Sequence, residues 1–525
     1  MSKAPSTEQR TSASPLVVVA AVLGWVLLAV ITVGRMRDEL TATLHRDEAI
    51  AWTYANLPLG EIPGALELDV NPPVYFMALH TWLTGGGSGE VFLRGLSVLA
   101  MLAAAGVAFD AARRLGGARA GWLASAFVVL APGSLALAGL ARPYAIAFLL
   151  GTIALDAAIA MVRGARWPAV AAFSVAAALL PLTHYWGGLL LVALLVALGT
   201  TAIVVHRRDL LLRAVIATGI ALVALAPWAS TLAAQLGNSP LAAHRVPDAL
   251  ALGTTLTRSA GGRATAWVVG IGLAVIVVSA WWQRHRQPAQ EREPVDAGHL
   301  LLVTATLASV AIVVLMWTVS QVRPLFTSNY AFVVMAPLPV LVGVYLSRRW
   351  WSMVAVLAAL ALVAVPDFSR SALGQDAATR EIRGPEAAVA SSIDLATSPG
   401  DVVVTSPGRV LAVRYYLGGD RDYVTPIGRV YDGRFDYRDR VERLSEVDPA
   451  QVAGSLAGRP AGTRVAVVHD IGLPIDHPYW IALDDAMDGI MRTLRGSDRV
   501  EQVASWRLEE PYEWIGVTVF EVLPR

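Results

Sequence analysis

The stretch His45–Arg46–Asp47–Glu48–Ala49 follows closely on the first long apolar run of the chain, Pro15–Gly34. It sets two adjacent carboxylates, flanked by a histidine and an arginine, beside a segment of membrane length, since a helix needs ~20 apolar residues to cross a bilayer. Charges at such a boundary are commonly surface decoration. They matter when the chain also supplies a lipid-facing pocket, an arginine for phosphate and an aromatic wall. Outward from this point the chain continues with apolar runs through most of its 525 residues, 55% hydrophobic and 16% charged. Soluble domains carry about 25% charged residues, so the composition predicts a polytopic membrane protein. Lys3 and Arg10 precede the first run, and no small-residue cleavage pattern follows it. We therefore read a retained helix rather than a signal peptide.

Apolar runs near 15–34, 91–112, 120–138, 143–162, 168–183, 186–205, 212–230, 264–282, 300–319, 329–346 and 350–365 predict about eleven transmembrane helices. The run 72–84 is too short to span and reads as an interfacial helix, ended by Gly85–Gly86–Gly87–Ser88–Gly89. With the N-terminus in the cytoplasm, the inner turns carry Arg113, Arg114 and Arg119; Arg163 and Arg166; Arg207, Arg208 and Arg213; Arg284, Arg286 and Arg292; Arg348 and Arg349. The short outer turns are poorer, as the positive-inside rule requires. The long outer segments holding Arg35 and Arg37, and Arg245, Arg258 and Arg263, run against it; long loops follow the rule less closely. The net charge of +1 selects no nucleic acid,. The absence of cysteine excludes disulfides and thiolate chemistry,. Arginine stands almost everywhere for lysine in an alanine- and glycine-rich chain, which suggests a GC-rich bacterial source and a multi-pass protein of the plasma membrane.

Residues 367–525 change character. Asp401–Thr405, Val465–Val468 and Val517–Val522 are short β-branched runs that read as buried strands. Pro385–Ala396 and Ile481–Leu494 read as helices between them. The expectation is a membrane domain over 1–366 and an extracytoplasmic α/β domain over 367–525.

The outer loop 35–71 is long, and long loops in compact proteins are functional or disordered. Trp52, Tyr54, Leu57, Leu59 and Ile62 argue for order. The loop holds Asp47, Glu48, Glu61, Glu67 and Asp69, then Asn71–Pro72–Pro73–Val74–Tyr75, whose prolines set an extended approach to the short helix. On these residues alone, helix capping by the acids explains as much as catalysis does.

An Asp–Glu pair after the first span, then Pro72–Pro73–Val74–Tyr75, then Arg94–Gly95–Leu96–Ser97 opening the next span, resembles the GT-C membrane glycosyltransferases. The nearer likeness is to family 39, with the protein O-mannosyltransferases and the lipid A aminoarabinose transferases. It continues in Arg142–Pro143–Tyr144–Ala145, Thr183–His184–Tyr185–Trp186–Gly187, Arg323–Pro324–Leu325–Phe326 and Pro337–Leu338–Pro339. The tail adds Pro385–Glu386–Ala387–Ala388 and Arg414–Tyr415–Tyr416–Leu417–Gly418. Two positions depart from the pattern: Asn71 stands where relatives carry histidine, and Asn329–Tyr330 where they carry Arg–Tyr.

The resemblance implies transfer of a sugar, mannose or a pentose such as arabinose, from a polyprenyl phosphate to an extracytoplasmic glycan, lipid or protein, with inversion. It gives Asp47 the role of base, with Glu48 as its partner. A lipid phosphate leaving group calls for fixed cations, and Arg142 and Arg323 are the candidates, with Arg46 behind them. His184 and Tyr185 join the donor site, and Asp69, Asn71, Tyr75, Tyr144 and Asn329 line the pocket. No cofactor is required; the acids sharing the loop leave room for a divalent metal, though no ligand spacing demands one. A transporter or lipid flippase is the alternative from another class, since transporters place ionisable residues near the midplane of repeated halves. Here the acids and arginines concentrate at the outer face and no half-to-half repeat is visible. A non-catalytic scaffold whose outer domain binds envelope partners would need no Asp–Glu pair.

Overall fold

The computed structural model describes residues 15–165, 167–237, 246–286, 295–363, 385–430, 434–470, 478–508 and 514–524. The expected domain boundary at 366/367 and the loop residues Arg166, Arg245 and Arg292 lie outside the described residues. The chain is mainly helical. Among the described residues five helices are long and apolar enough to cross a bilayer: Gly89–Leu130, Tyr144–Val162, Tyr185–Val204, the run Arg208–Leu236, and Ala297–Val319. Two bent pairs, Ala249–Ser259 with Arg263–Ser279 and Ser328–Val334 with Pro337–Leu346, raise the number to seven if each pair is one span. The protein is a multi-pass membrane protein.

The expected runs 91–112 and 120–138 need comment. They fall largely within the one helical element Gly89–Leu130, broken at Gly117, whose φ of 78° only glycine adopts freely,. Ser125 Oγ donates to the Ala105 carbonyl at 2.8 Å, and the Phe109 and Trp122 rings meet edge-on at 5.3 Å. Residues twenty apart on a straight helix are about 30 Å apart. The two halves therefore fold back on each other at the arginine-rich turn.

The loop 35–71 is folded rather than extended. Its main element, the helix Arg46–Ala55, leads through a short helix Ile62–Leu66 to Val74–Leu83, the expected interfacial helix. Tyr54, Ile62, Leu66, Tyr75, Phe76 and Leu79 form a core of their own at this end of the molecule.

The C-terminal domain holds a six-stranded sheet in the order β3-β2-β1-β4-β6-β5. The strands are β1 (Val402–Val404), β2 (Asp422–Thr425), β3 (Gly428–Arg429), β4 (Arg464–Asp470), β5 (Val500–Arg507) and β6 (Ile515–Val522). β1 runs parallel to β2 and β4; the other pairs are antiparallel. Alternation along each strand divides the core. Val402, Val404, Val465 and Val467 pack under the helix Pro478–Arg495, while Val403, Ala466 and Val468 pack under Glu386–Asp394 and Val410–Leu417. The three expected strands are β1, β4 and β6, the central buried ones. β5, at the sheet edge with alternating exposure, is too polar to stand out in sequence.

This domain sits on the Arg46–Ala55 helix. Tyr415 meets Trp52 edge-on, and the Tyr416 hydroxyl accepts from the Leu44 amide at 2.7 Å and donates to Glu90 at 3.1 Å. Arg46 pairs with the fully buried Glu386 at 2.9 Å, and Arg434 pairs with Glu61. The helix carrying the two carboxylates is thus held between membrane helices below and the sheet domain above.

Candidate active site

His45 opens the helix as its N-cap. Its Nδ1 accepts from the Asp47 amide at 3.1 Å, while the Glu48 carboxylate accepts from the His45 amide at 2.8 Å. This is a capping box with histidine in the place of serine or threonine. The capping reading of the acids therefore holds for Glu48, and Glu48 does more. Its Oε1 accepts from Arg94 Nε and from the Ala141 amide, both at 2.8 Å, and its Oε2 from Arg94 Nη2 at 2.7 Å. Arg94 spends its remaining donors on the carbonyls of Glu39, Leu40, Ala42 and Thr43. Both side chains are 1% exposed. Expected as a catalytic partner, Glu48 is instead fully occupied in tying three segments together: the Arg46 helix, the start of Gly89–Leu130 and the turn at Ala141.

The last of these ties places the next residue. Arg142 is buried, and it reaches back so that Nη1 donates to the Asp47 carbonyl at 3.3 Å and Nη2 stands 3.6 Å from the Asp47 carboxylate. Successive residues on a helix point about 100° apart. Asp47 therefore faces away from the Glu48 lock, with 44% of its side chain exposed. Arg142 Nε is buried with no hydrogen-bond partner among the described residues. Next to Arg142 stand aromatic rings: Tyr144 lies 5.8 Å from its guanidinium, His184 lies 5.4 Å from Tyr144, and Tyr330 lies 4.8 Å from His184. Trp186 adds a fourth ring, 5.8 Å from Tyr330. His184 Nδ1 accepts from the Trp186 amide at 3.2 Å, so the geometry puts its proton on Nε2,. Burial, reinforced by the charge of Arg142, pushes His184 down to about 3. It is a neutral donor across the physiological range. The Tyr75 hydroxyl, fully buried, has no partner among the described residues.

Asp69 is buried on the other side. Its carboxylate accepts from the Val70 amide at 2.7 Å and from the Asn71 side chain at 3.3 Å. Burial raises its pKa, the hydrogen bonds and Arg142 oppose that rise, and the charge of Asp47 adds to it. Asn71, at the position where the sequence departs from the resembled pattern, thus donates to Asp69.

Three expected residues lie elsewhere. Arg323 is exposed and donates to the Leu236 carbonyl at 2.6 Å; nothing among the described residues ties it to Asp47 or Arg142. Tyr185 is engaged by Gln235 and by Trp228 Nε1 at 3.0 Å. Asn329 has no side-chain hydrogen bond among the described residues, and its neighbour Tyr330 belongs to the ring cluster. Sequence reading quoted Arg94 only within the motif Arg94–Gly95–Leu96–Ser97 and gave it no site role. It gave Arg258 none either. That residue closes the helix Ala249–Ser259, which is joined to Ser328–Val334 by the 2.7 Å Thr255–Ser328 hydrogen bond. The Arg258 guanidinium has no hydrogen bond or ion pair among the described residues. No group of three or more His, Asp or Glu side chains among them is arranged to hold a metal ion.

No protein-family model and no curated protein matches the chain. Solved structures do. ArnT from Cupriavidus metallidurans in its apo state superposes with a TM-score of 0.62 at 15% identity, over 96% of this chain and 98% of that one. The same protein bound to undecaprenyl phosphate gives 0.60 at 16%, over 97% and 98%. This chain has the GT-C glycosyltransferase fold. The archaeal oligosaccharyltransferase AglB from Archaeoglobus fulgidus, in complex with an inhibitory peptide and a dolichol-phosphate, is more distant, with a TM-score of 0.50 at 11% identity over 91% of this chain and 72% of that one. The agreement with ArnT runs through both the membrane helices and the sheet domain.

Proposed function

We propose that this protein is an inverting membrane glycosyltransferase that moves a sugar, mannose or a pentose such as arabinose, from a polyprenyl phosphate to an extracytoplasmic acceptor. The observation that carries this reading is the half-open Asp47–Arg142 pair, with a neutral histidine and three further rings beside it. An acceptor hydroxyl attacks the anomeric carbon, and the bond from that carbon to the phosphate oxygen breaks. Asp47 takes the hydroxyl proton. The polyprenyl phosphate leaves with the bonding electrons, and Arg142 and the His184 Nε2–H stabilise its growing charge. Arg258 is the second cation of choice, in place of Arg323. Glu48 and Arg94 position Asp47 and take no proton. The fold likeness to ArnT, a protein bound to undecaprenyl phosphate in one of its structures, supports the donor class.

The same reading gives the topology. The seven spans become eleven when the Gly117 break divides Gly89–Leu130 and the shorter apolar helices Ala21–Arg35, Trp167–Thr183 and Trp350–Leu362 also cross. The N-terminus is then cytoplasmic and the sheet domain extracytoplasmic, as the arginine distribution requires. The test is incubation of the purified protein with a panel of polyprenyl-phosphate sugars, measuring released polyprenyl phosphate and the anomeric configuration of the product. Release of lipid phosphate with inverted product is expected. Movement of the intact lipid-linked sugar across a vesicle membrane, with no release, would replace this reading by a flippase.

A further inference from the structure

Beside the candidate active site, the loop Glu67–Val70, the helix Ala229–Gly237 and the segment Tyr437–Arg438 enclose a cavity of about 270 Å³. Its walls come from both parts of the chain. Glu67, Asp69 and Thr231 belong to the membrane part, and Tyr437 and Arg438 to the sheet domain. The two parts are joined at this point by the backbone hydrogen bond from the Tyr437 amide to the Leu68 carbonyl, at 3.0 Å. Gln235 stiffens the wall rather than facing a ligand, because its amide is spent on the Leu66 carbonyl and the Tyr185 hydroxyl. Asp69 links the cavity to the reaction centre, since the charges of Arg142 and Asp47 both act on it. The Tyr437 hydroxyl is buried with no hydrogen-bond partner among the described residues, and so is that of Tyr54, which also feels Asp69. Buried hydroxyls are ordinarily paired. The Tyr437 hydroxyl, on the cavity wall, marks a place where a polar group is missing.

We propose that this cavity is the acceptor subsite and that it takes a sugar residue of a glycan, so that the sheet domain contributes Tyr437 and Arg438 to acceptor recognition. This rests on the glycosyl-transfer reading and deepens it by naming the acceptor class. The lining carries the argument. Two carboxylates and hydroxyls match the vicinal hydroxyls of a sugar, the Arg438 guanidinium borders them while paired with Asp436 at 2.7 Å, and the tyrosine ring offers a face to the sugar's C–H side,. An acyl chain would bury the carboxylates of Glu67 and Asp69 against hydrocarbon, at a desolvation cost,. At roughly 10–15 Å³ per seated water, the volume admits a group of monosaccharide size. The direction of approach agrees. The lipid phosphate belongs with Arg142 at the ends of the membrane helices, whereas the cavity is walled by the sheet domain.

The test uses the full chain in phospholipid nanodiscs. Binding of methyl glycosides and short oligosaccharides of mannose and arabinose is followed by saturation-transfer NMR, and binding of undecaprenyl phosphate is measured in the same samples. The wild type is expected to bind a saccharide. Tyr437→Phe, which keeps the ring, should weaken that binding about tenfold, the size of one hydrogen bond. Thr231→Trp should abolish it by filling the cavity. Both variants should keep undecaprenyl phosphate binding, which also shows that they are folded. A wild type that binds none of the saccharides, or two variants that bind them as well as the wild type, overturns the proposal. Saccharide binding without undecaprenyl phosphate binding would instead overturn the transfer reading and leave a glycan site standing.

Discussion

Two ion pairs in this molecule are separated by one residue of sequence and differ in almost every physical respect. Glu48–Arg94 is closed: both side chains are 1% exposed, and the four acceptor bonds to the carboxylate come from the protein itself. Asp47–Arg142 is open: the nearest approach is 3.6 Å, the carboxylate is 44% exposed, and the guanidinium keeps an unused buried donor. The first pair is saturated and can only hold structure. The second has capacity left for a proton and for an anion. The saturated pair also builds the open one, because the bond from Glu48 to the Ala141 amide is what brings Arg142 to Asp47.

That contrast can be broken from either side. The largest effect is expected from Asp47→Asn, which keeps the shape but cannot accept a proton. Transfer should fall about a hundred- to ten-thousand-fold, with the thermal unfolding midpoint in detergent unchanged. Arg94→Ala should do the reverse. It leaves Glu48 buried and unpaired, a loss of about 3–5 kcal/mol of stability, read as a collapse of the unfolding midpoint or of the yield of folded protein. An Arg94→Ala protein as stable as the wild type would show that the closed pair is not a lock.

Smaller effects sharpen the open side. Arg142→Ala should cost on the order of 1.5–3 kcal/mol in binding of undecaprenyl phosphate. Lysine should rescue it only in part, having lost the planar fork. Arg323→Ala, exposed and turned to Leu236, should change donor binding little. If those two results were exchanged, only Arg323 of the two cations read from sequence would stand, and the preference for Arg142 drawn from the structure would be wrong.

The most gradual effect is with pH, spread over the window between the two titration points,. His184 is buried neutral beside Arg142, Tyr144 and Tyr330, and titrates near 3 in the folded protein against about 6.5 when unfolded,. Between those values the unfolded chain binds the extra proton, so the contribution of His184 to stability is full above about pH 6.5 and declines as pH falls towards 3. The slope should approach about 1.4 kcal/mol per pH unit within that window. His184→Gln should flatten it, as measured by denaturation at a series of pH values.

These residues also show how far sequence carries. The apolar runs, the arginine-marked turns, the three buried strands and the charged character of the 45–49 stretch are properties of local pattern: hydrophobic length, charge placement and β-branched composition act over neighbouring residues. Which of Asp47 and Glu48 stays exposed is not local. It depends on a cap contributed by His45, a guanidinium from Arg94 and an amide from Ala141, far apart in the chain. That Tyr330 joins the ring cluster and that Arg323 turns to the Leu236 carbonyl likewise depend on how distant helices pack.

By itself, then, the sequence determined a multi-pass helical protein with a strand-bearing tail and a charged, aromatic-rich segment beside its first span, because burial and periodicity are written residue by residue. The tertiary structure decided the division of labour within that segment. A carboxylate becomes a lock or an open acceptor according to how many of its hydrogen-bonding positions the rest of the fold fills, and that number exists only once the distant partners have been brought together.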